Sequence, residues 1–392
     1  MKSRIFFSQF LTVLIVLSVG SVVVALAAEP ILIGLNLPLS GPRETSGKST
    51  RMGAELLKEE INGEGGVLVG GTRYPLKFIY ADNETSLEKA VSGTLQLISK
   101  DRVLGVVGPN SSSRAIPAGG IAQSFKAPMI SPTSTNPKTT TNRPFVFRAC
   151  FLDDYQGEVM ARFAVSEFKA SKAAVLFDSE NTYPKGLAAF FKSSFEKEKG
   201  AGSVVAYEFF KSDYSDLSSS MKKIMVSGAD VLFVPQYSHE LPSILKQIKA
   251  AGWEKPIIGG DAWESSDLNE KCGDLCKGLF FSAHFGAIGA KGKSKDFIDR
   301  YKAKYQQMPD GYSALGYDAA NLLITAIAKL DSINKNIFVA REDVKNQLSS
   351  IKAYDGVSGV LNMNDSGDPS KSAIIIHITE DGQFESYATI AP

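Results

Sequence analysis

The chain has 392 residues, 44% of them hydrophobic and 22% charged, with 43 basic side chains against 42 acidic ones. So even a balance gives no basic surface for nucleic-acid phosphates and no attraction to an anionic membrane, and no nucleic-acid partner is expected. The length is enough for two ordinary domains.

Residues 1–27 read as a signal peptide. Lys2 and Arg4 form a positive start, Ile5 to Leu26 is almost wholly apolar, and Ala25-Leu26-Ala27 fits a small-x-small cleavage site before Glu29-Pro30. The apolar run is long enough to span a bilayer, so a membrane anchor is the competing reading. The small-residue exit and the lack of a basic stop favour cleavage, and with it export to the periplasm. No cysteine lies near the cleavage point, which argues against a lipid anchor. Removing Lys2 and Arg4 turns the formal charge of +1 slightly negative.

From residue 31 onward strand and helix patterns alternate. Ile31–Leu37 predicts a buried strand, and the stripe Met52, Leu56, Leu57, Ile61 predicts a helix over Ser49–Ile61, ended by Asn62-Gly63. Strand Leu76–Tyr80, helix Leu87–Ser99 and strand Val103–Val107 follow. After Cys150 come helix 155–168, strand 173–177 and helix 185–199. Strands 204–208, 231–234 and 256–259 are then separated by helices near 216–226 and 239–251. This alternation predicts βαβ units, an α/β chain of largely parallel sheets with helices on both faces. Helices near 294–306 and 312–330 return after Phe280-Phe281-Ser282. Asp381-Gly382, between Ala373–Ile378 and Glu385–Thr389, predicts a hairpin. Two runs of units imply two lobes joined by short crossings, with a cleft between them as the natural ligand site.

Two strands of the first run open into hydroxyl-rich loops. Val103–Val107 leads into Gly108-Pro109-Asn110-Ser111-Ser112-Ser113, and Pro128-Met129-Ile130 into Ser131-Pro132-Thr133-Ser134-Thr135-Asn136-Pro137. Small hydroxyls and free backbone N–H groups at the end of a buried strand, with a helix starting behind, make an anion cradle. Two such loops at one sheet edge point to a small carboxylate, held without reaction.

These loops, with Ile33-Gly34 through Ser40-Gly41-Pro42, Gly53-Ala54, Ile61-Asn62, Gly65-Gly66-Val67 and Gly259-Gly260-Asp261-Ala262-Trp263, resemble the periplasmic leucine/isoleucine/valine-binding protein family. The resemblance spans nearly the whole mature chain. It implies a two-lobed type I periplasmic binding fold with three hinge crossings. The lobes are expected at 28–149 with 284–355, and at 150–283 with 356–392. It also implies a soluble, monomeric receptor that delivers an amino acid to the membrane permease of an ABC importer and needs no cofactor.

Carried over residue by residue, Ser112 offers its hydroxyl and amide to the ligand's α-carboxylate, joined by the Thr135 hydroxyl, while the Thr133 carbonyl meets the ammonium. Tyr237 and Asp261 complete the ammonium site from the second lobe. Apart from the resemblance, Tyr183 in Asp178-Ser179-Glu180-Asn181-Thr182-Tyr183 ends another second-lobe strand and is expected to close over the ligand. An ammonium needs acceptors, and a bond to an ionised carboxylate is about twice as strong as a neutral one. Ser111, Ser46 and Trp263 are further pocket candidates. Asp261 is one methylene shorter than the glutamate common in the family, and Ser46 falls where an aromatic residue often covers the ligand. Arg114 either faces the pocket, favouring an acidic or polar ligand, or sits on the following helix.

Other readings stand beside these. Ser112 suits an N-cap, Thr133 and Thr135 a proline-bounded turn, and Asp261 a helix cap. Trp263 suits either a pocket wall or a cover for the Cys272 region. Tyr312 and Tyr317 are expected in the core. Cys272 and Cys276, four apart in an exported chain, suggest a local disulfide, with zinc as the alternative; Cys150 reads as a buried free thiol. A serine hydrolase lacks its partners: there is no Gly-x-Ser-x-Gly elbow, and His239, His284 and His377 sit in no triad pattern. No paired-histidine metal motif and no phosphate loop are present either. The chain therefore reads as a binding protein, with sensing as the alternative to transport and an amide, urea or aromatic carboxylate as the alternative ligand.

Overall fold

The computed structural model describes residues 28–392, so the signal-peptide reading lies outside the described residues. Short, mostly apolar runs suit strands covered on both faces, and three such runs take that place, the last of them at the sheet edge. Gly105–Val107, Met129–Ser131 and Val146–Arg148 are buried throughout. They continue a five-stranded parallel sheet in which Ile31–Leu37 lies between Leu76–Asp82 and Gly105–Val107. One face carries helices Glu44–Gly63 and Gly311–Ala328; the other carries Leu87–Ser99 and Ser112–Ser124. The first helix begins at Glu44, five residues before the expected start at Ser49, which brings Thr45 and Ser46 onto its first turn.

The second lobe is a seven-stranded sheet. Strands Val204–Phe210, Ala173–Asp178, Val231–Phe233, Ile257–Gly259 and Phe280–Ala283 run parallel. The hairpin Ala373–Ile378 and Phe384–Ile390 adds two antiparallel strands on the Phe280–Ala283 edge, with Phe281 opposite Ile376. Helices Asp153–Phe168 and Thr182–Lys199 cover one face; Ser218–Val226 and Leu241–Ala250 cover the other. Cys272 and Cys276 are joined as a disulfide with Cα atoms 5.7 Å apart, and Cys150 is buried and free.

The third crossing lies later than expected. A small sheet of Ala353–Gly356, Gly359–Met363 and Pro369–Ser370 buries Val357, Leu361 and Met363 in the first-lobe core, so the chain leaves that lobe only at Lys371 and not at 355/356. Arg148 holds this sheet in place. The guanidinium is fully buried and pairs with Asp368 at 2.6 Å. It also donates to Ser134 O at 2.7 Å, Asn136 O at 3.0 Å and Thr140 Oγ1 at 2.8 Å. Removing one partner of a buried ion pair leaves the other charge uncompensated. Asp368→Ala should therefore cost about 3–5 kcal/mol, read as a lower urea midpoint; an unchanged midpoint would show that the carbonyls alone satisfy Arg148.

Asp153 opens the helix just after the first crossing. Both its carboxylate oxygens are buried without a well-aligned partner, and burial pushes the carboxyl from its ordinary 3.8 up to about 8. The folded state therefore keeps a proton that the unfolded chain releases. That contribution to stability is complete below about pH 4 and is lost as the pH rises through about 8. The melting temperature of the ligand-free protein should fall between about pH 5 and pH 8, and Asp153→Asn should flatten the fall. Equal slopes in the two proteins would assign the titration to another group.

Candidate functional site

The cleft is built from the carboxyl ends of strands in both sheets, where open α/β sheets place their ligands. In the first lobe the two hydroxyl loops are stitched together. Ser131 Oγ donates to Pro109 O at 2.6 Å, Thr133 Oγ1 to Asn110 O at 3.1 Å, and Ser134 Oγ to Ser112 Oγ at 3.1 Å. Gly108 makes the turn possible: its φ is +100°, and a Cβ there would lie 2.2 Å from Asn36 O. Asn110 Nδ2 fixes the first loop to Thr50 Oγ1 at 2.9 Å. Ser111 is the N-cap of helix Ser112–Ser124, and its side chain makes no cap bond. The first-turn amides of such a helix have no intrahelical acceptor.

Ser112 is almost fully buried at the cavity wall. Its oxygen accepts from Ser134 Oγ and, at 3.4 Å, from the Asn136 amide. Both lone pairs are thus engaged, and the hydroxyl proton is left to donate. Thr133 lines the same cavity, but Thr135 does not. Thr135 is buried behind the wall beside the Asp153 carboxyl, and its hydroxyl has no well-aligned partner.

The second lobe presents one carboxylate. Asp261 Oδ1 accepts from Tyr183 Oη at 2.7 Å and from Gln156 Nε2 at 2.7 Å, and Oδ2 lies 3.1 Å from His284 Nε2. Burial pulls the His284 imidazole below its ordinary range, although Asp261 opposes this. The rings of Tyr183 and Tyr237 lie 5.2 Å apart, and the buried Tyr237 hydroxyl has no partner. Glu240, which accepts from the Tyr237 amide at 3.3 Å, is pushed up to about 7 by burial, with Arg43 pulling the other way.

The lobes meet around this cavity. Thr45 Oγ1 donates to Asp267 Oδ2 at 2.7 Å, Ser113 Oγ to Asn181 Oδ1 at 3.2 Å, and the Gly311 amide to Glu264 Oε1 at 2.6 Å. The arrangement is a closed one, and the cavity at its centre measures about 20 Å³.

The structure brings Ser46, Ser111, Ser112, Thr133, Tyr183, Tyr237 and Asp261 together around that cavity. It does not bring Trp263 there. Trp263 is fully buried in the second-lobe core, donates Nε1–H to Val234 O at 2.9 Å, and lies so close to Gly259 that a Cβ there would sit 2.1 Å from its ring. Tyr312, expected in the core, lines the cavity instead, while Tyr317 is in the core as expected. Arg114 is turned away, donating to Thr85 O at 2.8 Å and Ser113 Oγ at 2.8 Å. Sequence reasoning missed Arg43, Asn110 and the Gln156 and His284 supports of Asp261. Only the position of Asn110 inside the first hydroxyl loop could have signalled one of them.

A family model described as periplasmic binding protein matches residues 30–383. The leucine-, isoleucine-, valine-, threonine- and alanine-binding protein of Pseudomonas aeruginosa is 30% identical over 308 residues, covering 78% of this chain and 80% of that one. A leucine-binding protein from Thermotoga maritima superposes with a TM-score of 0.84 at 29% identity, over 92% of this chain and 99% of that structure. A branched-chain amino acid transporter substrate-binding protein from Streptococcus pneumoniae, solved with isoleucine, gives 0.82 at 27% identity over 93% and 100%. With two α/β lobes, a closed cleft between their strand ends and a family match over nearly its whole described length, the chain belongs to the periplasmic binding proteins.

Proposed function

We propose that the protein is the substrate-binding component of an ABC importer and captures an L-amino acid between its lobes in the periplasm, before docking on a membrane permease. One observation carries this reading: neutral donors on the first lobe face an ionisable carboxylate, Asp261, on the second, across a small closed cavity. That polarity suits a zwitterion. Ser111, the Ser112 proton and the amides opening helix Ser112–Ser124 would hold the α-carboxylate, with no buried cation needed. Asp261 would hold the α-ammonium, with the Thr133 carbonyl beside it. The named ligands of the Pseudomonas relative and the isoleucine in the Streptococcus structure are all amino acids, which supports the same class here.

The mechanism is closure around the ligand. The first lobe binds the carboxylate in the open form, and Asp261 reaches the ammonium only when the second lobe swings in. The ligand therefore favours the closed state by its differential contacts.

A thermal-shift screen of the refolded mature protein against L-amino acids, their deaminated analogues, short amides and aromatic carboxylates tests the reading. Stabilisation by amino acids and not by the deaminated analogues is the expected result. Asp261→Ala should weaken amino-acid binding by about 2–5 kcal/mol, because the ammonium loses its ionic partner in a desolvated site, as measured by calorimetry. Unchanged affinity would remove Asp261 from the site, and equal stabilisation by amine-free carboxylates would replace the zwitterion reading.

A further inference from the structure

We propose that Arg43 selects the ligand's side chain, and that the preferred ligand is an amino acid whose side chain ends in a carboxylate. The inference rests on the amino-acid reading above and narrows it.

Arg43 immediately precedes helix Glu44–Gly63, and its guanidinium carbon lies 3.1 Å from the centre of the Tyr237 ring on the opposite lobe. It lines the central cavity with Ser111, Thr133 and Asp261. It also lines a second, smaller cavity with Thr45, Ser46, Ser238 and Asp267. It thus separates the place for the ligand's charged α-groups from the space beyond. A side chain leaving the α-carbon in that direction meets the guanidinium.

Among the described residues its side chain donates no hydrogen bond, and its contact is the face of the Tyr237 ring. Other buried guanidinium groups are committed: Arg148 to Asp368 and three oxygen acceptors of the second loop, Arg114 to Thr85 O and Ser113 Oγ, and Arg341 to Val103 O and Ile98 O. Among the described residues no carboxylate forms an ion pair with Arg43. The group is only partly shielded from solvent, and desolvation, then Arg114, lowers its pKa to about 9, with Tyr312, Glu240 and Tyr183 pulling the other way. The surrounding charges supply only part of the complement, since Glu240 attracts Arg43 without forming an ion pair with it. Asp267 is paired with Lys271 at 2.5 Å, Glu240 titrates up near 7, and burial holds His239 down at about 3 and so neutral.

The missing partner is an anion, and the geometry suits a carboxylate. The guanidinium presents one face to Tyr237, a cation–π contact that leaves its edge N–H groups for a bidentate acceptor. Ser46 is small and spends its hydroxyl on Arg43 O at 2.8 Å, so it neither covers the ligand nor competes for the anion. An aliphatic side chain would instead bury the same cation against hydrocarbon.

Calorimetry with L-glutamate, L-leucine and glutarate on the refolded wild type, Arg43→Ala and Arg43→Lys tests the proposal. The expected result is wild-type preference for L-glutamate over L-leucine by roughly tenfold or more, lost or reversed in Arg43→Ala and partly kept in Arg43→Lys, which retains charge without the fork. Leucine binding retained by Arg43→Ala would show that the variant is folded. A wild type that prefers leucine, with that preference unchanged in Arg43→Ala, overturns the role of Arg43 and leaves the amino-acid reading intact. Uniform tightening of both ligands in Arg43→Ala also overturns it, because Arg43 would then only fill the cleft. Glutarate bound as tightly as L-glutamate overturns the amino-acid reading itself.

Discussion

A charge taken out of water must be met by the protein, and the buried Arg148 guanidinium shows how far that constraint shapes the first lobe. Its acceptors are two carbonyls and a hydroxyl of the loop after Met129–Ser131, and Asp368 from the last first-lobe segment. Because those carbonyls turn inward to Arg148, the loop's other polar groups are free to face the first hydroxyl loop and the cleft. The same demand keeps the small sheet of residues 353–370 with the first lobe. Asp368 cannot leave without stranding Arg148.

Asp261 obeys the same rule in the second lobe, with a consequence for motion. Its partners come from three elements: Gln156 from helix Asp153–Phe168, Tyr183 from helix Thr182–Lys199, and His284 from the end of strand Phe280–Ala283. The carboxylate is therefore oriented by its own lobe, so in the proposed reading little ordering is left for an ammonium to impose. His284 also lies at the second crossing. Its ring is 3.8 Å from that of Phe151 at the first, and its carbonyl accepts from Lys371 Nζ at 3.1 Å at the third. All three crossings thus meet at the residue that holds the ligand-facing acid, which couples hinge geometry to the position of Asp261.

The α/β alternation and both hydroxyl loops were legible because strands buried on two faces leave unbroken apolar runs, and the loops follow them directly. The aromatics facing the cleft were legible only in part: Tyr183 and Tyr237 line it, but Trp263 does not and Tyr312 does. Trp263 follows a strand in the same way as Tyr237, yet Gly259 leaves it a slot under the sheet edge, and the lack of a Cβ there decides its place. Tyr312 sits one residue into a helix whose face is set by packing against Glu44–Gly63, a contact between distant segments that no local period records. Arg114 and Arg43 illustrate the same limit. The arginine adjacent to the serine loop is drawn off by Thr85 O, and the one that reaches the cleft comes from a turn whose helix starts earlier than its apolar stripe suggests. The third crossing was hidden because the strands before it are short and half exposed, with no change of composition at the boundary.

The seam between the lobes explains why a ligand can control closure. Its hydrogen bonds are few and include Thr45 with Asp267, Ser113 with Asn181, Asn136 with Thr182 O and Glu264 with the Gly311 amide, beside the Arg43–Tyr237 contact. Water can replace each of them when the cleft opens, so they favour the closed state only slightly. Closure also buries Glu264 against Asp310, and burial with that neighbour raises the Glu264 carboxyl well above its ordinary range, a cost that opposes shutting the cleft at neutral pH. Weak seam contacts set against a buried acid make closure sensitive to what occupies the cleft, and in the proposed reading a few kcal/mol from a ligand that bridges the lobes shifts the population.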